Sequence, residues 1–330
     1  MLIYIIIINY SLLIINHYSF LAILIITRYN SLPQRKMYWE NSDDVSCPAI
    51  ANTMSRNRFE ELMSVIHLAD NQNLIEGDKM AKLRPYYDLL NHQCRNLMPN
   101  RNNKSVDESM IPYYGRNSSK QRIQNKPVRV GYKMWVMAET SGYVIDFDVY
   151  QGAKNGASAK SSSTSWGLGE KVVLRACETL PQDHTQHIFM DNFFTSFRLL
   201  KHLKNHKIYA TGTIRKNKLN DCPIIKAEAL KKESRGHYDQ RTSADGSFTV
   251  VGWNDNRPVY VASNCERLNP VNGALRWSSS EKKGICLAAK DYFGIQQRYG
   301  RSRSSRSKYC QLPYINPIEE MVVAFVHLAN

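Results

Sequence analysis

His187-Ile-Phe-Met-Asp-Asn-Phe-Phe-Thr-Ser196 is a short apolar run that stops at an acid. A strand that buries Ile188, Phe189 and Met190 and ends at Asp191-Asn192 delivers a carboxylate to the rim of a sheet, where ligands and metals are met. Lys104-Ser-Val-Asp-Glu-Ser-Met110 has the same form, with Asp107 following Val106. Taken alone, Asp191-Asn192 before a helix reads as a cap on free helix-start N–H groups, and Asp107 as an ordinary exposed acid. The order of the surrounding elements decides between these readings.

Upstream, Val128–Met137 and Tyr143–Tyr150 alternate with period two and are joined by the turn Thr140-Ser-Gly142, which predicts a hairpin. With the strand around Val106 they make an antiparallel start. A Ser-rich loop (Ser158–Ser165) comes next. After it the spacing predicts a helix over about Gly169–Leu180, the Ile188–Met190 strand, a helix over Ser196–Asn205 and a strand over Ile208–Ile214. Three antiparallel strands followed by helix, strand, helix, strand is the order of an RNase H-like fold, in which acids on the first and fourth strands lie side by side. Asp107 and Asp191 hold those positions.

The expected class is therefore mixed α/β. Residues 1–18 form a hydrophobic leader and 19–103 a helical N-terminal region, with helices over Ser55–Leu68 and Arg84–Met98. An RNase H-like core begins at 104–220. A β-rich insertion (221–275) contains Phe248–Trp253 and Val259–Ala262, and 276–330 is a degraded end of the core.

At 330 residues and 43% hydrophobic content the chain can build a core, and its net charge of +15 is spread along its length. That charge favours a polyanion, nucleic acid first and a membrane surface second. Seven cysteines lie far apart with no zinc spacing, which suits a reduced compartment. Met1–Thr27 carries no Asp, Glu, Lys or Arg and is long enough to span a bilayer. Asn9, Tyr10, Ser11, Asn16 and His17 interrupt it, so a buried core helix from about Ser19 to Arg28 is the plainer reading.

Asp146-Phe-Asp148 opens a different class: a type II membrane glycosyltransferase with an Asp-x-Asp metal–nucleotide-sugar motif, which the sequons at Asn103 and Asn117 would suit. Against it, alternating acids on a strand usually mark its wet face. His184, His187, His202 and His206 lack a zincin pattern, and Trp166-Gly-Leu-Gly169 is too short for a phosphate loop, so no nucleotide cofactor is expected.

Tyr29-Asn-Ser-Leu-Pro33, Met54-Ser-Arg-Asn-Arg-Phe-Glu-Glu61, Val106-Asp-Glu108, Gly115-Arg116, Asn125-Lys-Pro127, Gly131-Tyr-Lys133, Met190–Ser196 and Gly212-Thr-Ile-Arg215 together resemble the piggyBac-type DDE/D transposases, from about Ser19 to Cys286. The resemblance implies cut-and-paste transposition of DNA at TTAA sites in the nucleus, with Mg²⁺ held by three aspartates. It makes Asp107 and Asp191 the first two catalytic metal ligands and leaves a homodimer open. Hard cations take oxygen ligands, and a metal pair can activate the attacking oxygen and stabilise the leaving one. Lys126, Arg129, Lys133, Arg215 and Lys216 are the candidates for contact with the DNA backbone, with Lys218 beside them.

The third aspartate belongs to a Met-Gly-Gly-Val-Asp motif expected after Arg276–Lys283, where this chain reads Tyr299-Gly-Arg-Ser-Arg-Ser-Ser-Arg-Ser-Lys308. That segment can be encoded TAT GGG CGG AGT CGA TCT TCT CGA TCA AAA. One base later the same string reads Met-Gly-Gly-Val-Asp-Leu-Leu-Asp-Gln, which predicts a frame shift between Cys286 and Tyr292. As written, the chain is expected to be inactive, and a DNA-binding relic without catalysis is the alternative within DNA biology.

Overall fold

The computed structural model describes residues 17–265, apart from 28, 31, 99–101, 125, 140, 153–165 and 182–184, together with the backbone of 272–276 and 284–288. The described residues fall into two compact units: one holds the residues up to Glu76 together with Met80–Tyr86, the other Gly77–Lys79 and the residues from Tyr87 on. The expected leader and the segment with the displaced motif lie outside the described residues.

The first unit is helical. Helix α1 (17–27) buries Phe20 and Ile23 as the core-helix reading expects, α2 (Pro48–Ala51) contributes Ile50, and α3 (Arg56–Val65) contributes Phe59. Ser55 caps α3 by accepting from the Arg58 amide. Phe59 anchors the small core, with its ring centroid 5.1 Å from Phe20 and 5.2 Å from Trp39. Among the described residues, no helix is long and apolar enough to cross a membrane.

The second unit begins with most of α4 (Arg84–Asn96) and is built on one sheet. Its strands are β1 (Asn103–Pro112), β2 (Gln121–Arg122), β3 (Val130–Glu139), β4 (Val144–Val149), β5 (Gln186–Met190), β6 (Ile208–Thr213), β7 (Tyr238–Thr242), β8 (Thr249–Asn254) and β9 (Pro258–Ser263). β4, β3 and β1 are antiparallel neighbours, while β5 runs parallel to β1 and β6 parallel to β5. This is the strand order and direction that the period changes predict for an RNase H-like core. β9, β8 and β7 continue the same sheet beyond β6, so the β-rich segment extends the core sheet. A separate ribbon pairs β10 (Asn272–Arg276) with β11 (Gly284–Ala288).

Helices α5 (Leu168–Glu178) and α6 (Phe197–Asn205) are the crossovers that parallel pairing requires. They pack Val172, Val173, Ala176, Leu199, Leu200 and Leu203 onto Val106, Ile188, Met190 and Ala210. A short helix, α7 (Ala227–Leu230), adds Leu230. On the far side of β4, Asn91 of α4 stands in for a missing neighbour strand. Its amide donates to the Phe147 carbonyl and its side-chain oxygen accepts from the Phe147 N–H, both at 2.9 Å. Pairing of this kind blunts an open sheet edge.

Candidate metal and nucleic-acid site

The pairing register carries the site. Val106 on β1 faces Met190 on β5, so the next residues along, Asp107 and Asp191, fall side by side. Val106 and Met190 are buried in the core, and alternation turns Asp107 to the opposite face of the sheet. Met190 in turn faces Gly212 on β6, and the following residue, Thr213, donates its hydroxyl to Asp191 Oδ1 at 2.8 Å. Asp107, Asp191 and Thr213 thus form a row across three strands.

Each aspartate is oriented by the amide that follows it. The Glu108 N–H donates to Asp107 Oδ1 and the Asn192 N–H to Asp191 Oδ1, both at 2.7 Å. Burial pushes the Asp107 carboxyl above the usual carboxylate range. The Glu108 amide and Lys126 pull it back, and the charges of Asp191 and Glu108 raise it further. A buried Asp107 carboxylate with Asp191 in adjoining register suits a hard divalent cation, which binds oxygen and offsets the cost of ionising Asp107. The donor set therefore fits Mg²⁺ as two of its ligands. Among the described residues, no group of three or more His, Cys, Asp or Glu side chains could hold a metal ion together.

The family model described as Transposase IS4 matches residues 17–309. The chain belongs to the piggyBac-type transposase family. It is 41% identical over 282 residues to human PiggyBac transposable element-derived protein 3, covering 85% of this chain and 47% of that protein. With human PiggyBac transposable element-derived protein 2 it shares 34% over 264 residues, covering 79% and 44%. The chain therefore spans under half the length of these relatives. A cryo-EM structure of a piggyBac transposase synaptic complex with hairpin DNA superposes with a TM-score of 0.70 at 23% identity, covering 96% of this chain and 64% of that one. That likeness establishes the RNase H-like fold.

Of the basic residues expected to contact the DNA backbone, Arg129, Arg215 and Lys216 are exposed. Arg215 also donates to the Asn192 side chain at 3.0 Å, beside Asp191. Lys216 lies 3.5 Å from Glu228 with both side chains largely in solvent. Lys126 is 34% exposed and reaches Glu108 at 3.2 Å. Lys133 is turned inward, with its ammonium 2.6 Å from Glu108 and 4.2 Å above the Trp135 ring. Lys218 is partly buried and donates to the carbonyls of Asn192, Phe193 and Thr195.

The β4 acids differ from expectation. Asp146 and Asp148 are each only 5% exposed, so the alternation marks a buried face. Arg175 of α5 lies 2.5 Å from Asp148, and Arg95 of α4 lies 3.9 Å from Asp146. Helices α4 and α5, each bringing an arginine to these acids, make them tolerable there. A strand-by-strand reading of polarity has no means of seeing those helices.

Among the described residues, the histidines do not gather into a metal cluster. His187 bonds Thr211 at 2.9 Å, while His202 and His206 sit together on α6 with ring centroids 4.4 Å apart. His184 lies outside the described residues. The participant that residue reading missed is Thr213. Its signal was present in Gly212-Thr-Ile-Arg215, but its role depends on the β5–β6 register, which the sequence does not print.

Proposed function

We propose that this chain is a DNA-handling protein derived from a cut-and-paste transposase, with Asp107 and Asp191 as two ligands of Mg²⁺. The observation that carries the reading is the β1–β5 register that sets the two aspartates side by side in an RNase H-like sheet. When bound, the cation would activate an attacking oxygen and stabilise a leaving one at a phosphodiester. The chain's own residues orient the ligands: Glu108 and Asn192 through their amides, and Thr213 through its hydroxyl. Lys126, Arg129, Arg215 and Lys216 would neutralise DNA phosphates around the pair, an electrostatic contact that positions DNA without reading its sequence. A DNA substrate places the protein's work in the nucleus, and a homodimer is compatible with the site.

Strand cleavage is not expected of this sequence. After Glu281 its only acids are Asp291, Glu319 and Glu320, none in the setting of the family's third aspartate. An excision assay on a reporter flanked by terminal repeats should give no product, and metal-dependent excision would refute the loss of the site. Binding to duplex DNA should persist and weaken steeply with salt. Sequencing the transcript across Cys286–Asn330 tests the frame shift: codons for Tyr299–Lys308 that do not contain the displaced motif exclude it.

A further inference from the structure

Lys133 sits where its charge is more useful to the protein than to DNA. Its ammonium lies 4.2 Å from the Trp135 ring centroid, 5.3 Å from Phe193 and 5.7 Å from Tyr150, and bonds Glu108 at 2.6 Å. Trp135 and Phe193 are stacked, with centroids 5.5 Å apart and planes 13° from parallel. Glu108 is the residue after Asp107, and Phe193 is two residues after Asp191. One lysine therefore grips both segments that carry the aspartates, from the opposite face of β1.

The grip reaches the carboxylates through the backbone. Asp107 is oriented by the Glu108 amide and Asp191 by the Asn192 amide, next to Phe193. A displacement of the backbone that carries Glu108 and Phe193 would move the donors that aim the two carboxylates. The same ion pair disposes of a third carboxylate nearby. Glu108 Oε1 lies 3.2 Å from the Lys126 ammonium and Oε2 2.6 Å from that of Lys133. Glu108 is thus committed to the two lysines.

We propose that Lys133 is a positioning residue: held under Trp135 and Phe193, it fixes the spacing of Asp107 and Asp191. This rests on the reading of the two aspartates as cation ligands. A sub-ångström change in ligand spacing is enough to weaken such a site.

Calorimetric titration of the full chain with Mn²⁺ tests it. Lys133→Met should weaken Mn²⁺ binding at least fivefold while circular dichroism stays native. Lys133→Arg, which keeps the ion pair and the ring contact, should restore most of the affinity. Unchanged Mn²⁺ affinity in Lys133→Met would overturn the proposal, as would a loss of DNA affinity with a salt slope smaller by about one, the mark of a phosphate contact. If wild-type Mn²⁺ binding is indifferent to Asp107→Asn and Asp191→Asn, the cation reading itself fails, an outcome distinct from failure of Lys133 alone. A labelling measurement on the wild-type chain stands independently of how the variants fold. Reductive methylation should modify Lys216, whose side chain is 73% exposed, at least tenfold faster than Lys133, at 15%. Equal labelling would remove the basis of the grip.

Discussion

Asp146 and Asp148 on β4, and Asp107 on β1 with Asp191 just beyond the end of β5, are two pairs of acids at one sheet, built in different ways. Each β4 acid lies near an arginine, Asp148 closely and Asp146 more loosely, although burial still raises the Asp146 carboxyl above its usual range. The other two lie side by side across a parallel register, and burial, with a smaller contribution from the Asp191 charge, makes Asp107 harder to ionise. Acids answered by arginines hold helices to a sheet. Acids set against each other are an arrangement that a bound cation would relieve.

The largest effect should come from breaking the compensated pair. Arg175→Met strips Asp148 of the guanidinium 2.5 Å away and should cost about 3 kcal/mol in denaturant unfolding. A cost under roughly 0.5 kcal/mol, typical of a surface pair, would erase the distinction between the two regions. Next, Gly212→Ala strikes only the Asp191 side. A Cβ there would stand 2.2 Å from Thr195 Oγ1 and 2.8 Å from the Met190 carbonyl, so the strand that presents Thr213 must move. We expect a loss of about 2 kcal/mol, with the β4 region unaffected in hydrogen exchange.

The smallest effect has the opposite sign. Because the Asp107 carboxyl is raised in the folded protein, the native state holds that proton more readily than the unfolded chain. Its contribution to stability therefore falls as pH rises through the window from the unfolded value, 3.8, to the native one. At neutral pH the full penalty is present, and Asp107→Asn should stabilise the fold by roughly 0.5–2 kcal/mol. The gain should vanish once pH falls below 3.8. Asp148→Asn at neutral pH should destabilise instead, since it leaves Arg175 facing an amide.

What could be read in advance follows the range of each interaction. Period two across Val128–Met137 and Tyr143–Tyr150, and helical spacing over Gly169–Leu180 and Ser196–Asn205, are local signals, and the strands and helices stand where those signals put them. That the 238–263 strands extend the same sheet is set by β6–β9 pairing, with partners such as Thr211 and Ser263 far apart in sequence. Within the site, Asp191 was legible because it follows the apolar strand β5, and Asp107 because it stands beside Val106 within β1. The inward turn of Lys133 and Lys218 was not, because a lysine reads as a solvent-facing charge until the rings and carbonyls that receive it are brought together. The burial of Asp146 and Asp148 was hidden for the same reason, since Arg95 and Arg175 arrive from separate helices.

Mn²⁺ titration of the full chain followed by loss of the free-ion electron paramagnetic resonance signal tests the contrast most directly, with Asp107→Asn, Asp191→Asn and Asp148→Asn compared against the parent sequence. Binding that disappears in the first two variants and survives in the third is the predicted result. Binding that survives in either of the first two, or disappears in Asp148→Asn while the fold is intact, would contradict it.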